Sequence, residues 1–126
     1  MKGPEAEFFD HLRAGKFMLQ RIAGTGACVF YPRYLGAVAW EWVEASGDAT
    51  VYSRTIIRQK PERGGDYCIA AVELAEGPRM LTRILGVPPE DVTIGMSVRA
   101  SIEKPGWDNS DDNVIVFRPQ VATHGA

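Results

Sequence analysis

The fold of this chain is decided by residues 41–87, EWVEASGDATVYSRTIIRQKPERGGDYCIAAVELAEGPRMLTRILGV. Within this stretch, residues 50–58 (TVYSRTIIR) and 67–74 (YCIAAVEL) are rich in the β-branched and aromatic side chains that favour strands. Residues 79–85 (RMLTRIL) predict a third strand after the turn at Gly77 and Pro78. Because short loops join the three strands, we expect a meander that closes into a small barrel or sandwich.

Two further segments complete this pattern. Residues 96–103 (MSVRASIE) alternate apolar and polar side chains, as in a half-buried strand, and residues 114–117 predict a last strand. Between the third and fourth strands, residues 88–92 (PPEDV) predict a single helical turn. Five strands with a short helical insertion predict a mostly β chain with a five-stranded OB-fold barrel.

A short helix is predicted at the N-terminus, over residues 4–14. Pro4 suits a first helical turn, and Glu5 and Glu7 favour the positive end of the helix dipole. A helix of this length is marginal alone, so its apolar face must pack on another surface. That surface is either the chain's own domain or a partner chain.

Composition argues against several classes of function. The chain has 126 residues, a net charge of −2 and a pI of about 5.7, whereas nucleic-acid modules usually carry a basic excess. It has no apolar run long enough for a membrane span, and its acidic start is unlike a signal peptide. Two cysteines do not make a disulfide framework. These features predict a cytoplasmic protein with no membrane segment and no nucleic-acid partner.

Ordered motifs then cover nearly the whole chain. They are Leu19-Gln20-Arg21, Pro32-Arg33, Glu41-Trp42, Thr50-Val51-Tyr52-Ser53, Gly77-Pro78-Arg79, Pro89-Glu90-Asp91-Val92, Ile94-Gly95-Met96 and Phe117-Arg118-Pro119. In this order and at this spacing, the sequence resembles the zinc-ribbon and OB-fold proteins that accompany thiolases. That family is called acyl-CoA-associated, or domain of unknown function thirty-five. The resemblance divides the chain into an N-terminal helix (1–15), a ribbon segment (16–40) and an OB-fold domain (41–126).

The ribbon segment departs from the family pattern. Family members carry two Cys-x-x-Cys pairs that hold a structural zinc ion. The corresponding positions here are Ile22, Thr25, Gly36 and Ala39, and none of these side chains can ligate zinc. We therefore expect a degenerate, metal-free, rubredoxin-like ribbon held by apolar packing of Ile22, Val29, Phe30, Tyr34, Leu35 and Trp40.

The resemblance also implies a function. Members of this family serve beside thiolases or related synthases, so the chain is expected to be a non-catalytic accessory subunit that helps shape acyl-CoA access. Phe8, Phe9, Leu12, Tyr34 and Trp40 are the expected partner contacts. No resident cofactor is expected, although acyl-CoA at a shared interface stays possible.

Arg79 and Arg118 are the candidates for meeting a CoA phosphate or a partner carboxylate, because a guanidinium fork suits both. A surface ion pair with a nearby carboxylate is the alternative for each. No catalytic motif occurs, so an enzyme is not expected. A nucleic-acid-binding OB module, a free-standing acyl-CoA binder and a homodimer through the first helix remain as alternatives.

Overall fold

The computed structural model describes residues 3–104 and 112–120. They form one α-helix, eight strands and two single-turn 3-10 helices, in the order α1 (Pro4–Arg13), β1 (Met18–Ile22), β2 (Cys28–Val29), β3 (Trp40–Glu44), β4 (Asp48–Ile57), Pro61–Arg63, β5 (Tyr67–Leu74), β6 (Arg79–Ile84), Pro89–Asp91, β7 (Ser97–Glu103) and β8 (Val114–Pro119). None of the helices in these residues is long and apolar enough to cross a membrane.

Strands β4 to β8 form a closed barrel in the order β4-β5-β6-β8-β7. The pairs β4–β5, β5–β6, β7–β8 and β4–β7 are antiparallel. The barrel closes where β6 runs parallel to β8, and only Ile84 and Phe117 are paired there. This mixed five-stranded barrel with a short helical turn before its fourth strand confirms the predicted mostly β, OB-fold class.

Side-chain alternation explains why these segments form barrel strands. Along β5, Cys68, Ala70, Val72 and Leu74 are buried, and the residues between them face outward. This period of two is what a strand with one buried face requires. In β4 the pairing register shifts between Val51 and Ser53, which is a β-bulge at Tyr52. Bulges re-aim side chains, and Tyr52 lies half exposed on the outside of the barrel.

The remaining strands form a separate three-stranded sheet in the order β2-β1-β3. All five residues of β3 pair with β1, from Trp40 opposite Ile22 to Glu44 opposite Met18. The expected boundary between residues 40 and 41 therefore falls inside β3. The ranges 1–15 and 41–126 also include residues 1–2, 105–111 and 121–126, which lie outside the described residues.

One continuous hydrophobic core joins the helix, the small sheet and the barrel. Phe8 and Leu12 from α1, together with Leu19 from β1, belong to the same buried cluster as Val72 and Phe117 of the barrel. The sequence predicted that the helix packs either on the chain's own domain or on a partner chain. In the structure it packs on the chain's own domain. The small sheet is thus packed on the barrel rather than linked to it by a free tether.

Candidate functional site

The two loops that carry the expected ligand positions meet at one end of the small sheet. The β1–β2 turn is closed by backbone hydrogen bonds from Ile22 N to Ala27 O (2.8 Å) and from Gly26 N to Ile22 O (2.9 Å). The second loop joins it where Ala23 N donates to Ala39 O at 2.9 Å. Thr25 Oγ1 accepts a bond from Ala27 N (3.2 Å), so it stabilises its own turn.

Donor chemistry in the described residues does not match that of a structural zinc site. Zinc in such sites is held by thiolate, imidazole or carboxylate groups. Residues 3–104 and 112–120 contain no group of three or more His, Cys, Asp or Glu side chains placed to hold a metal ion. The positions Ile22, Thr25, Gly36 and Ala39 offer methyl groups, a hydroxyl and a glycine.

A buried glutamine holds the ribbon together instead. Gln20 is fully buried in β1, and its side-chain amide forms two hydrogen bonds with the backbone of Arg33. Nε2 donates to Arg33 O at 2.7 Å, and Oε1 accepts from Arg33 N at 2.8 Å. These two hydrogen bonds satisfy the backbone N–H and C=O groups of Arg33, as a neighbouring strand would, and they hold the long loop between β2 and β3 against β1. The sequence analysis predicted apolar packing here and missed this contact.

The predicted apolar packing of the ribbon is only partly correct. Phe30 packs on the core, and its ring centroid lies 5.7 Å from that of Phe8. Tyr34, by contrast, is 80% exposed, so the expectation that it packs in the ribbon is wrong. Strand β2 is only two residues long, Cys28–Val29, and the chain leaves the small sheet at Phe30.

Five partner-contact residues were predicted, and the structure separates them into two groups. Phe8 and Leu12 are buried inside the chain. Phe9 (36%) and Tyr34 are exposed, and Trp40 is half-buried with its ring 5.0 Å from that of Trp42. That edge-on contact shows that the two tryptophans lie on the same face of β3. Tyr31 was not among the predicted residues. Its ring centroid lies 6.3 Å from that of Phe9, and its side chain is 42% exposed.

An apolar cleft of about 170 Å³ opens beside this surface, between the helix and the barrel. It is lined by Phe8, Phe9, Leu12, Phe30, Met80, Asn113, Val114 and Ile115. The cleft is about as large as one large apolar side chain. Together with Phe9 and Tyr31, it gives the helix side of the molecule an accessible apolar surface.

The two predicted arginines lie on the barrel, and both have carboxylate partners. Arg118 in β8 donates from Nε and Nη2 to Glu103 in β7 at 2.7 and 2.9 Å. These bonds, with a smaller contribution from the Ser101 hydroxyl, lower the pKa of Glu103 to about 2. Arg79 donates only from Nε to Glu73, at 3.2 Å. The structure therefore shows the ion pairs that were the alternative reading of each residue.

The two cysteines lie in environments that favour the neutral thiol. Burial raises the pKa of Cys28, and the carboxylate of Glu76 raises it further, against an opposing effect of Arg21. Burial also raises the pKa of Cys68, which is completely enclosed. Because the thiolate is the nucleophilic form, neither side chain has the electrostatic setting of a reactive cysteine.

Comparison with known proteins places the barrel in a described family. Residues 42–103 match the family described as "ChsH2, C-terminal OB-fold domain". A "DUF35 domain-containing scaffold protein" from Methanocaldococcus jannaschii is 35% identical over 89 residues, which are 68% of this chain and 62% of that protein. A "probable enoyl-CoA hydratase alpha subunit" from Thermomonospora curvata is 31% identical over 124 residues, which are 92% of this chain and 37% of the relative.

A third relative and a solved structure agree with these matches. The "3-oxo-4,17-pregnadiene-20-carboxyl-CoA hydratase alpha subunit" of Mycobacterium tuberculosis is 35% identical over 111 residues, covering 81% of this chain and 35% of the relative. The chain thus spans between 35% and 62% of the length of these curated relatives. A chain of the solved "Ltp2-ChsH2(DUF35) aldolase" superposes with a TM-score of 0.78 at 28% identity, over 96% of this chain and 98% of that chain. The protein belongs to the DUF35 OB-fold family.

Proposed function

We propose that this chain is a non-catalytic accessory component of a thiolase-type enzyme that acts on acyl-CoA. In this proposal it binds the catalytic chain and helps to shape the access of acyl-CoA to the partner's active site. The observation that carries the accessory role is the superposition on 98% of a chain from the structure named "Ltp2-ChsH2(DUF35) aldolase"; the thiolase-type partner is what the family resemblance implies. The names of the curated relatives, a scaffold protein and two alpha subunits, support the same role.

The local chemistry of the described residues favours a supporting role over catalysis. Both thiols have a raised pKa, and His11 packs edge-on against Trp42 with ring centroids 5.3 Å apart. The hydratase names of two relatives do not transfer, because the matched parts are only 37% and 35% of those proteins. We therefore assign the bond-making and bond-breaking steps to the partner.

Partner binding is assigned to exposed aromatic residues, Phe9 and Tyr31 on the helix side and Tyr34 in the ribbon. Phe9, Tyr31 and Tyr34 present large rigid rings to solvent, and such rings are enriched in interfaces. Phe8 and Leu12 lie beneath this surface, where they pack in the hydrophobic core. In a homodimer through the helix, Phe9 would be the only apolar helix residue available for contact, because Phe8 and Leu12 are buried in the core. The homodimer is therefore a weaker alternative than binding to a catalytic partner.

Of the two arginines, Arg79 is the better candidate for contact with CoA. Arg118 uses two nitrogens on Glu103, so a phosphate would have to displace a bidentate pair. Arg79 uses only Nε, and both of its Nη groups lack an acceptor among the described residues. A phosphate at a shared interface can therefore bind Arg79 without breaking its existing hydrogen bond.

Affinity capture of the tagged chain from its native host, followed by reconstitution, tests the proposal. We expect a thiolase-type chain to co-purify and to be identified by mass spectrometry. The isolated chain should not turn over a thioester, and the purified pair should turn over acyl-CoA faster than the catalytic chain alone. Turnover by the isolated chain, or a stable complex without any thiolase-type chain, would overturn the proposal.

A matched pair of variants locates the contact. Tyr34→Ser should weaken the complex, because Tyr34 is 80% exposed in the ribbon and its loss does not open the core. Ile94→Ser removes a comparably exposed side chain (70%) from the barrel and should leave binding unchanged. Equal affinities of the two variants would argue against a partner contact at Tyr34.

A further inference from the structure

We infer that the outer surface of β4, β5 and β6 is a second docking surface, which receives a protein surface with an apolar centre and surrounding carboxylates. We call it the Leu81 face and define it by Tyr52, Tyr67, Arg79, Leu81 and Arg83. The inference rests on the proposed function in one respect only, which is that the partner is the catalytic chain. It adds which barrel face is contacted and what chemistry the partner presents there.

Leu81 forms the apolar centre of this face. In β6 the inward positions are Met80, Thr82 and Ile84, so Arg79, Leu81 and Arg83 point outward. Leu81 is 73% exposed, and its neighbour across β5 is the small side chain of Ala71. A leucine in mid-strand, with an alanine beside it, leaves a shallow apolar patch that no described side chain covers.

Two stacked arginine–tyrosine pairs flank the patch. The guanidinium of Arg79 lies 3.8 Å from the ring centroid of Tyr52, which faces outward in β4 next to the inward Val51. The guanidinium of Arg83 lies 3.7 Å from the ring centroid of Tyr67. Stacking on a ring restricts a long arginine side chain, so less conformational entropy is lost when the arginine binds a partner.

The chemistry of the face identifies the class of partner. Tyrosine and arginine around an exposed apolar residue are the composition that dominates binding energy in protein interfaces. The chain as a whole has a net charge of −2, yet this face has an arginine on each side of Leu81. Because Arg79 keeps both Nη groups available, carboxylates on the partner can form hydrogen bonds with it.

Two other occupants fit less well. Single-stranded nucleic acid binds such barrels by stacking bases on aromatic faces, but here the guanidinium groups already cover one face of Tyr52 and of Tyr67. A second copy of the chain would place Arg79 and Arg83 near the same arginines of the other copy, and the Glu73 carboxylate on this face is already paired with Arg79. A carboxylate-bearing protein surface has neither difficulty.

Photo-crosslinking in the native host, combined with binding measurements, tests the inference. p-Benzoylphenylalanine is introduced at position 81, and at position 63 as a control in the loop before β5. We expect crosslinks from position 81, and not from position 63, to a thioester-processing catalytic chain. With that chain purified, Leu81→Asp should weaken binding at least tenfold, and Leu81→Met should bind like the wild type.

Charge reversal provides a second, matched comparison. Arg79→Glu should weaken the complex several-fold more than Arg63→Glu, because both change the net charge equally and only Arg79 lies on the face. Thermal melting of each variant shows that the fold is intact, as expected for such exposed positions.

Each outcome decides between this inference and the proposed function. A complex with the catalytic chain that neither crosslinks from position 81 nor responds to Leu81→Asp overturns the Leu81 face and leaves the proposed function standing. Crosslinks from position 81 to nucleic acid or to a second copy overturn the occupant that we infer. The absence of any complex with a catalytic chain overturns both.

Discussion

Gln20 and Arg33 are joined by two hydrogen bonds between a fully buried side-chain amide and a loop backbone. Gln20→Leu would remove both hydrogen bonds to the backbone of Arg33, and each hydrogen bond contributes about 0.5–1.5 kcal/mol. We expect the free energy of unfolding to fall by about 2–3 kcal/mol, measured by urea denaturation. Gln20→Glu should destabilise the fold at least as much, because it replaces the Nε2 donor with a carboxylate oxygen beside Arg33 O and places a charge in a fully buried site. Similar stability of Gln20→Leu and the wild type would contradict this role.

Glu103 and Arg118 make stability depend on pH in the acidic range. The folded-state pKa of Glu103 is lowered from 4.5 to about 2, so its contribution to stability is fully present above pH 4.5. It is lost as the pH falls from about 4.5 to about 2, because the unfolded state then binds the proton more strongly. Arg118→Met should return the pKa of Glu103 toward 4.5 and flatten the acid limb of the stability curve. NMR titration of the Glu103 carboxyl carbon checks this, and an unchanged pKa in the variant would count against it.

Trp42 ties the helix to the small sheet through its indole nitrogen. Nε1 donates to Glu7 Oε1 at 2.9 Å, so β3 and α1 are connected by a side-chain hydrogen bond. Trp42→Phe keeps an aromatic ring but removes the donor, and we expect a loss of about 1 kcal/mol in unfolding free energy. Trp40→Phe serves as the control, because no hydrogen bond of the Trp40 side chain occurs among the described residues. If both variants lose the same stability, the indole–carboxylate bond is not the cause.

Phe8 and Phe9 are adjacent in sequence, but substitution of Phe8 should lower stability and substitution of Phe9 should lower partner affinity. Phe8 is 2% exposed in the core, so Phe8→Ala should cost about 3–5 kcal/mol of stability. Phe9 is 36% exposed, so Phe9→Ala should change stability by less than about 1 kcal/mol. Phe9→Ala should instead weaken binding to the catalytic partner. Equilibrium unfolding and calorimetric binding separate the two effects, and a large destabilisation by Phe9→Ala would contradict the placement of its ring.

Metal analysis tests the prediction of a metal-free ribbon. We expect protein purified from zinc-supplemented cells to contain far less than one zinc ion per chain by mass spectrometry, because the four ligand positions lack donor side chains. Addition of EDTA should leave the unfolding midpoint unchanged. Stoichiometric zinc, or a midpoint that falls with EDTA, would show that other residues bind the ion.

The barrel was predictable from sequence because its signals are local. The strand predicted over residues 67–74 matches Tyr67–Leu74 without a shift. The predicted helix over residues 4–14 likewise agrees with Pro4–Arg13 to within one residue. Such patterns record burial on one face, and burial is what the barrel and the docked helix impose.

Long-range relationships were not predictable in the same way. No local pattern shows that Gln20 reaches Arg33, thirteen positions away, or that β3 pairs with β1 rather than joining the barrel. Tyr34 looked like a ribbon core residue by type, yet a loop held by its backbone leaves that ring in solvent. The stacked pairs of Arg79 and Arg83 likewise depend on cross-strand register.

The seam between β6 and β8 determines where the barrel opens first. Besides the single pair of Ile84 and Phe117, it has the bond from Leu85 N to Phe117 O (2.9 Å) and the hydroxyl of Thr82 donating to Ile115 O (3.1 Å). A boundary with so few hydrogen bonds separates at a lower free energy than the long antiparallel ladders on either side. Amide protons of the β6–β8 pairing should therefore exchange with deuterium earliest in the barrel. In this respect the barrel behaves as one curled sheet whose two edge strands are joined by a few hydrogen bonds.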